Sequence, residues 1–161
     1  MARAALIDVH LAAGLLGLVL GLPAMRRPMR SDRWLWIRRA YFGTLVVLTI
    51  TVIIALVLDW PTLDAATRAT FSALCALAAF VCVRAVLALR IAELGLVDRA
   101  RSLVNHQYFT YVALWEGALI VTMITSGLPT WAVVMVAVAL PFAGAPLIAA
   151  YQRRLSATAP R

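Results

Sequence analysis

Five apolar segments, residues 4–22, 35–58, 69–92, 103–126 and 131–151, leave little of the chain outside them. Each is near or above the roughly 20 residues that a helix needs to cross the hydrocarbon core of a bilayer. A soluble domain is only about 45–50% apolar. Here 64% of 161 residues are hydrophobic and the mean hydropathy is +0.92. The pattern predicts an all-α fold, a polytopic integral membrane bundle of five transmembrane helices. At this length one compact unit is expected: a single transmembrane domain over residues 1–155, then a short basic tail at 156–161.

The charges give the orientation. All 15 basic residues are arginine, the net charge is +8, and most of them lie outside the apolar segments, in the loops and at the chain ends. Arg26, Arg27, Arg30 and Arg33 follow the first segment, with Arg38 and Arg39 just beyond. Arg99 and Arg101 follow the third, and Arg153, Arg154 and Arg161 follow the last. The second loop has Arg68 alone, beside Asp59 and Asp64, and the fourth has no arginine. The positive-inside rule then places the N-terminus outside and the C-terminus in the cytoplasm, in an inner (cytoplasmic) membrane. Trp34, Trp36 and Tyr151 would mark the inner interface, and Trp60 and Trp131 the outer one. Arginines so placed read as orientation and attraction to anionic headgroups, so membrane lipid is the expected partner and nucleic acid is not. The first segment is followed, not preceded, by its dense basic run, so it reads as a retained helix and not a signal peptide.

Polar residues inside these segments single out candidate sites. Glu116 falls near the middle of the fourth segment, where a carboxylate is costly unless paired or protonated. Asn105, Tyr108, Val112, Leu119 and Met123 share its helical face. On the first segment His10, Gly14, Gly17 and Gly21 form a stripe within about 60°, flanked by Ala13 and Ala24. Gly17-x-x-x-Gly21 is a spacing that admits a neighbouring helix, which turns His10 inward as well. Tyr41, Thr44, Leu48, Thr51, Ala55 and Asp59 line one face of the second segment, and Pro61 stops that helix. Arg84 lies about 12 Å from the cytoplasmic end of the third, too deep for snorkelling to satisfy fully, so Asn105, His106 or Tyr108 is an expected partner. Pro141, Gly144 and Pro146 predict a kink in the fifth helix.

Depth limits the chemistry. His10 is roughly 9 Å and Glu116 roughly 15 Å below the outer edge, so the two can meet if their helices are neighbours. His106 is about 5 Å above the inner edge, some 15 Å from His10. A haem ligated by both histidines needs them at one depth, which disfavours that reading. Cys75 and Cys82, seven apart in one helix, are too distant to bridge and read as small hydrophobes. With two histidines and no C-x-x-C pair, no zinc site is recognisable. The residues imply no cofactor and no metal.

His10-x-x-x-Gly14, the basic loop, and Arg39-x-Tyr41 opening the second helix resemble a family of small predicted bacterial multi-pass membrane proteins of unknown function. That resemblance covers most of the chain and implies fold, not activity. Family members carry a histidine in the basic loop, where this chain has Trp34 and Trp36, a departure that weakens a metal or haem role for the loop. The all-arginine basic set and the Ala/Val/Leu bias are similar to proteins of high-GC actinomycetes. Ala113-Leu114-Trp115-Glu116 is similar, more weakly, to the tryptophan–acid pairs of membrane-bound terpene cyclases, which protonate isoprenoid substrates.

The leading expectation is a scaffold that binds a lipid, an apolar small molecule, a second copy or a membrane partner subunit around a buried polar centre. Asn105, His106, Tyr108, Arg84 and Trp115 are its candidate binding residues. The alternative is an intramembrane acid–base enzyme, a cyclase or isomerase, with Glu116 as acid and His10 and Asp59 assisting. Proton-coupled transport and b-type haem binding remain further alternatives. The chain is too short for an inverted repeat of its own, so transport would need oligomers.

Overall fold

The computed structural model describes residues 2–25, 32–94 and 100–129, and beyond them 131–133, 135, 136, 139, 144, 146, 148–150 and 153. Among the described residues there are four long helices, α1 (Ala2–Ala24), α2 (Asp32–Asp59), α3 (Ala65–Glu93) and α4 (Ala100–Thr125), and no strand. Their ends fall one to four residues from the limits of the apolar segments, mostly outside them, because alanine and arginine at those flanks are good helix formers. Two loop signals act as the residues dictate. Pro61 has no N–H to donate, and the chain leaves α2 through a 3₁₀ turn over Trp60–Thr62, with Thr62 Oγ1 donating to the Asp59 carbonyl at 2.8 Å. At the other stop Gly127 takes a left-handed φ of +71°, and Leu128 N–H donates to the Met123 carbonyl at 3.0 Å. That is the glycine-dependent way of ending a helix.

Three helical stretches, Arg3–Ala24, Trp34–Thr62 and Phe71–Glu93, are long and apolar enough to cross a membrane. Their outer faces leave Leu11, Leu15, Val19, Ile50, Val57 and Val83 exposed, as a surface solvated by lipid tails would. The fourth predicted span is α4, whose 26 residues also carry Asn105, His106, Gln107 and Glu116. The fifth, residues 131–151, falls largely outside the described residues, as do Pro141 and Tyr151, and so does the stretch bearing Arg26, Arg27 and Arg30.

The helices pack in the cyclic order α1, α2, α3, α4, each along two neighbours. The small-residue stripe of α1 makes this possible. A Cβ on Gly14 would touch Leu48, and one on Gly17 would lie 2.9 Å from Leu114 and 3.1 Å from the Thr44 hydroxyl. At Gly21 it would run into the rings of Tyr111 and Tyr41. Two helices therefore close onto α1 where it lacks side chains, gaining dispersion contact that larger residues would block. Tyr41, Leu45, Val81, Ala85 and Ala24 form the main core, and Ala88, Ile91, Ala92 and Leu103 a second one between α3 and α4.

Charges tie the ends. Arg3 pairs with Asp59 at 2.9 Å, joining the start of α1 to the end of α2. Arg39 pairs with Glu93 at 2.8 Å, joining the start of α2 to the end of α3. Arg38, only 2% exposed, turns inward and donates from Nε to the Ala24 carbonyl at 3.1 Å. A cation there meets the negative end of the α1 dipole.

Candidate functional site

Most buried polar groups find partners. Tyr41 Oη donates to Thr110 Oγ1 at 3.1 Å, and Thr110 donates to the Gln107 carbonyl at 2.9 Å. Thr51 Oγ1 lies 2.9 Å from the carbonyls of Val47 and Leu48 and 2.8 Å from His10 Nδ1. A threonine hydroxyl has one proton. With it directed at the backbone, His10 donates from Nδ1–H and keeps Nε2 as its acceptor. Cys82 lies 3.1 Å from Thr49 Oγ1, and both Cys75 and Cys82 are free thiols.

Glu116, on α4, is one of the buried groups that do not. It is 8% exposed, and no hydrogen bond or ion pair to it occurs among the described residues. Leu114, two positions earlier, faces Gly17 of α1. Two residues turn a helix by 200°, which directs Glu116 to the far side of α4 from α1. His10 therefore does not meet Glu116 although their helices are neighbours; it is held by Thr51 of α2. Asp59 sits at the end of α2 in its pair with Arg3. The three residues expected to share acid–base chemistry are thus in three separate places.

The second group lies between α3 and α4. The Arg84 guanidinium stands 4.9 Å over the Phe109 ring, and Phe109 meets Phe80 edge to face at 5.5 Å. Arg84 and His106 are close enough for their charges to interact. Arg84 Nε and His106 Nδ1 are nevertheless buried without a hydrogen-bond partner, and so is Gln107 Oε1. Arg84 therefore bonds to none of the three partners expected for it, Asn105, His106 or Tyr108. Of the remaining candidates, Tyr108 packs against Gly144, where an added Cβ would lie 3.3 Å from the tyrosine side chain, while Asn105 and Trp115 are exposed.

Sequence reasoning missed Phe109, Gln107 and the inward turn of Arg38. Phe109 follows His106 by three residues, so the i, i+3 rule places both on neighbouring turns facing one partner helix. Nothing in the local sequence distinguishes Arg38 from Arg39. Among the described residues no group of three His, Cys, Asp or Glu side chains could hold a metal ion. Comparison with protein-family models, curated proteins and solved structures finds no match to this chain.

Proposed function

We propose that the chain is an integral protein of the cytoplasmic membrane, with five spanning helices, its N-terminus outside and its C-terminus inside. In this reading it binds a lipid or another apolar small molecule within the bundle, with Glu116 as the polar contact. The observation that carries the reading is Glu116, a residue 8% exposed on α4 whose carboxyl group has no hydrogen bond or ion pair among the described residues. Leaving such a group unsatisfied costs about 1–3 kcal/mol or more. A ligand bearing a hydroxyl or carbonyl would remove that cost. The arginine alternation from loop to loop supports the topology.

A second reading, an intramembrane enzyme with Glu116 as general acid, draws on the same buried carboxyl. Binding ranks above it because His10 and Asp59 are engaged elsewhere, which leaves Glu116 without an assistant. The two separate on substitution. Glu116→Gln keeps the shape and a hydrogen-bond donor but removes the ionisable proton. Native mass spectrometry of protein equilibrated with a total lipid extract of its host membrane should show a bound species retained by Glu116→Gln and lost by Glu116→Leu. If Glu116 is instead a general acid, Glu116→Gln should fold and keep the bound species but fail to convert it, whereas wild type turns it over. Retention in all three proteins would remove Glu116 from the site.

A further inference from the structure

We propose that Arg84 and His106 form a second, separate site that receives the phosphate group of an anionic membrane lipid between α3 and α4. Arg84 lies nine residues before the end of α3, about 14 Å along its axis. Its guanidinium does not run toward that end but lies over Phe109, the ninth residue after Ala100 at the start of α4. Its Nε is buried there and has found no protein acceptor. The neighbouring His106 Nδ1 is buried and unpartnered too. These are two buried nitrogens without acceptors on packed helices, and with His106 in its Nδ1–H tautomer they make a donor pair whose missing complement is an anion. The planar guanidinium fork suits phosphate oxygens held two at a time.

The surroundings favour a lipid as carrier of that phosphate. Phe80, which meets Phe109 beside the guanidinium, is 49% exposed on the outer face of α3. The donor pair thus adjoins the lipid-facing surface, where an acyl chain can lie along Phe80 while its headgroup is drawn in. Arg90, in the last turn of α3, stands at the same end of the bundle and raises the local concentration of anionic lipid. No residue is shared with the Glu116 site, so either proposal can fail alone.

The test is thermal melting of detergent-purified protein with added phosphatidylglycerol, phosphatidylcholine or inorganic phosphate. Wild type should be stabilised by phosphatidylglycerol in a saturable way, more than by phosphatidylcholine. Arg84→Met should weaken that binding at least about tenfold. The lipid-free variant should melt close to wild type, because a methionine thioether keeps a contact on the Phe109 ring in place of the guanidinium, whose Nε has no protein acceptor. Arg90→Gln, at the same end of α3, and Glu116→Leu should keep the response. Arg84-dependent stabilisation by inorganic phosphate alone would support the same chemistry with a soluble phosphate as its source. The proposal is overturned if wild type gains nothing from either phosphate source, if Arg84→Met responds like wild type, or if Arg90→Gln loses the response equally. A lower melting temperature for lipid-free Arg84→Met would also overturn it, by showing Arg84 to be structural.

Discussion

The Tyr41 hydroxyl of α2 donates to Thr110 of α4 across 3.1 Å, and both side chains are fully buried. The bond crosses the interior of a ring in which α2 and α4 are not consecutive. Its loss leaves Thr110 one donor short without opening a cavity. Tyr41→Phe should therefore lower unfolding free energy in mixed micelles by about 0.5–1.5 kcal/mol, in line with interhelical bonds in membranes. A Tyr41→Ala change adds a cavity and should cost about 3–5 kcal/mol. Equal costs for the two would mean that the hydroxyl, not the ring, holds the helices.

Glycines of the α1 stripe should rank by what an added methyl group meets. Gly14→Ala has only Leu48 at 3.8 Å and should be nearly neutral. Gly21→Ala meets two stiff aromatic rings and should cost about 1–3 kcal/mol, with Gly17→Ala between them. Melting curves of the three single variants check the order.

The Arg39–Glu93 pair is partly exposed, with 59% and 37% of the side-chain surfaces open. Glu93→Gln should therefore cost less than about 1 kcal/mol. The difference from wild type should shrink as salt is raised. Stability measured at low and high ionic strength decides it.

Orientation has a direct assay. In a background with Cys75 and Cys82 replaced by alanine, Arg30→Cys should resist an impermeant maleimide added to intact cells and react once the membrane is opened. Labelling from outside would reverse the proposed topology.

The four helices α1 to α4 were legible in the sequence because each follows a long, largely apolar run, and the stripe His10, Gly14, Gly17, Gly21 announced a close neighbour. Which neighbour was not legible. His10 and Glu116 were allowed to meet by depth, but depth along the normal says nothing of azimuth. A helix face is fixed by all the residues that pack around it, and Leu114 on Gly17 turns Glu116 away. Thr51 could have been named as the partner of His10 from the polar face of α2, on which it already lay. Arg84 was legible as a problem, a cation too deep to reach water, but the Phe109 ring beneath it belongs to another helix and leaves no local mark.

The measurement closest to the central claim is native mass spectrometry of wild-type, Glu116→Gln and Glu116→Leu proteins, each equilibrated with the same membrane lipid extract and each verified as folded. The account predicts one bound species in wild type, the same species in Glu116→Gln, and none in Glu116→Leu. An unchanged bound species in Glu116→Leu, with folding intact, would contradict it.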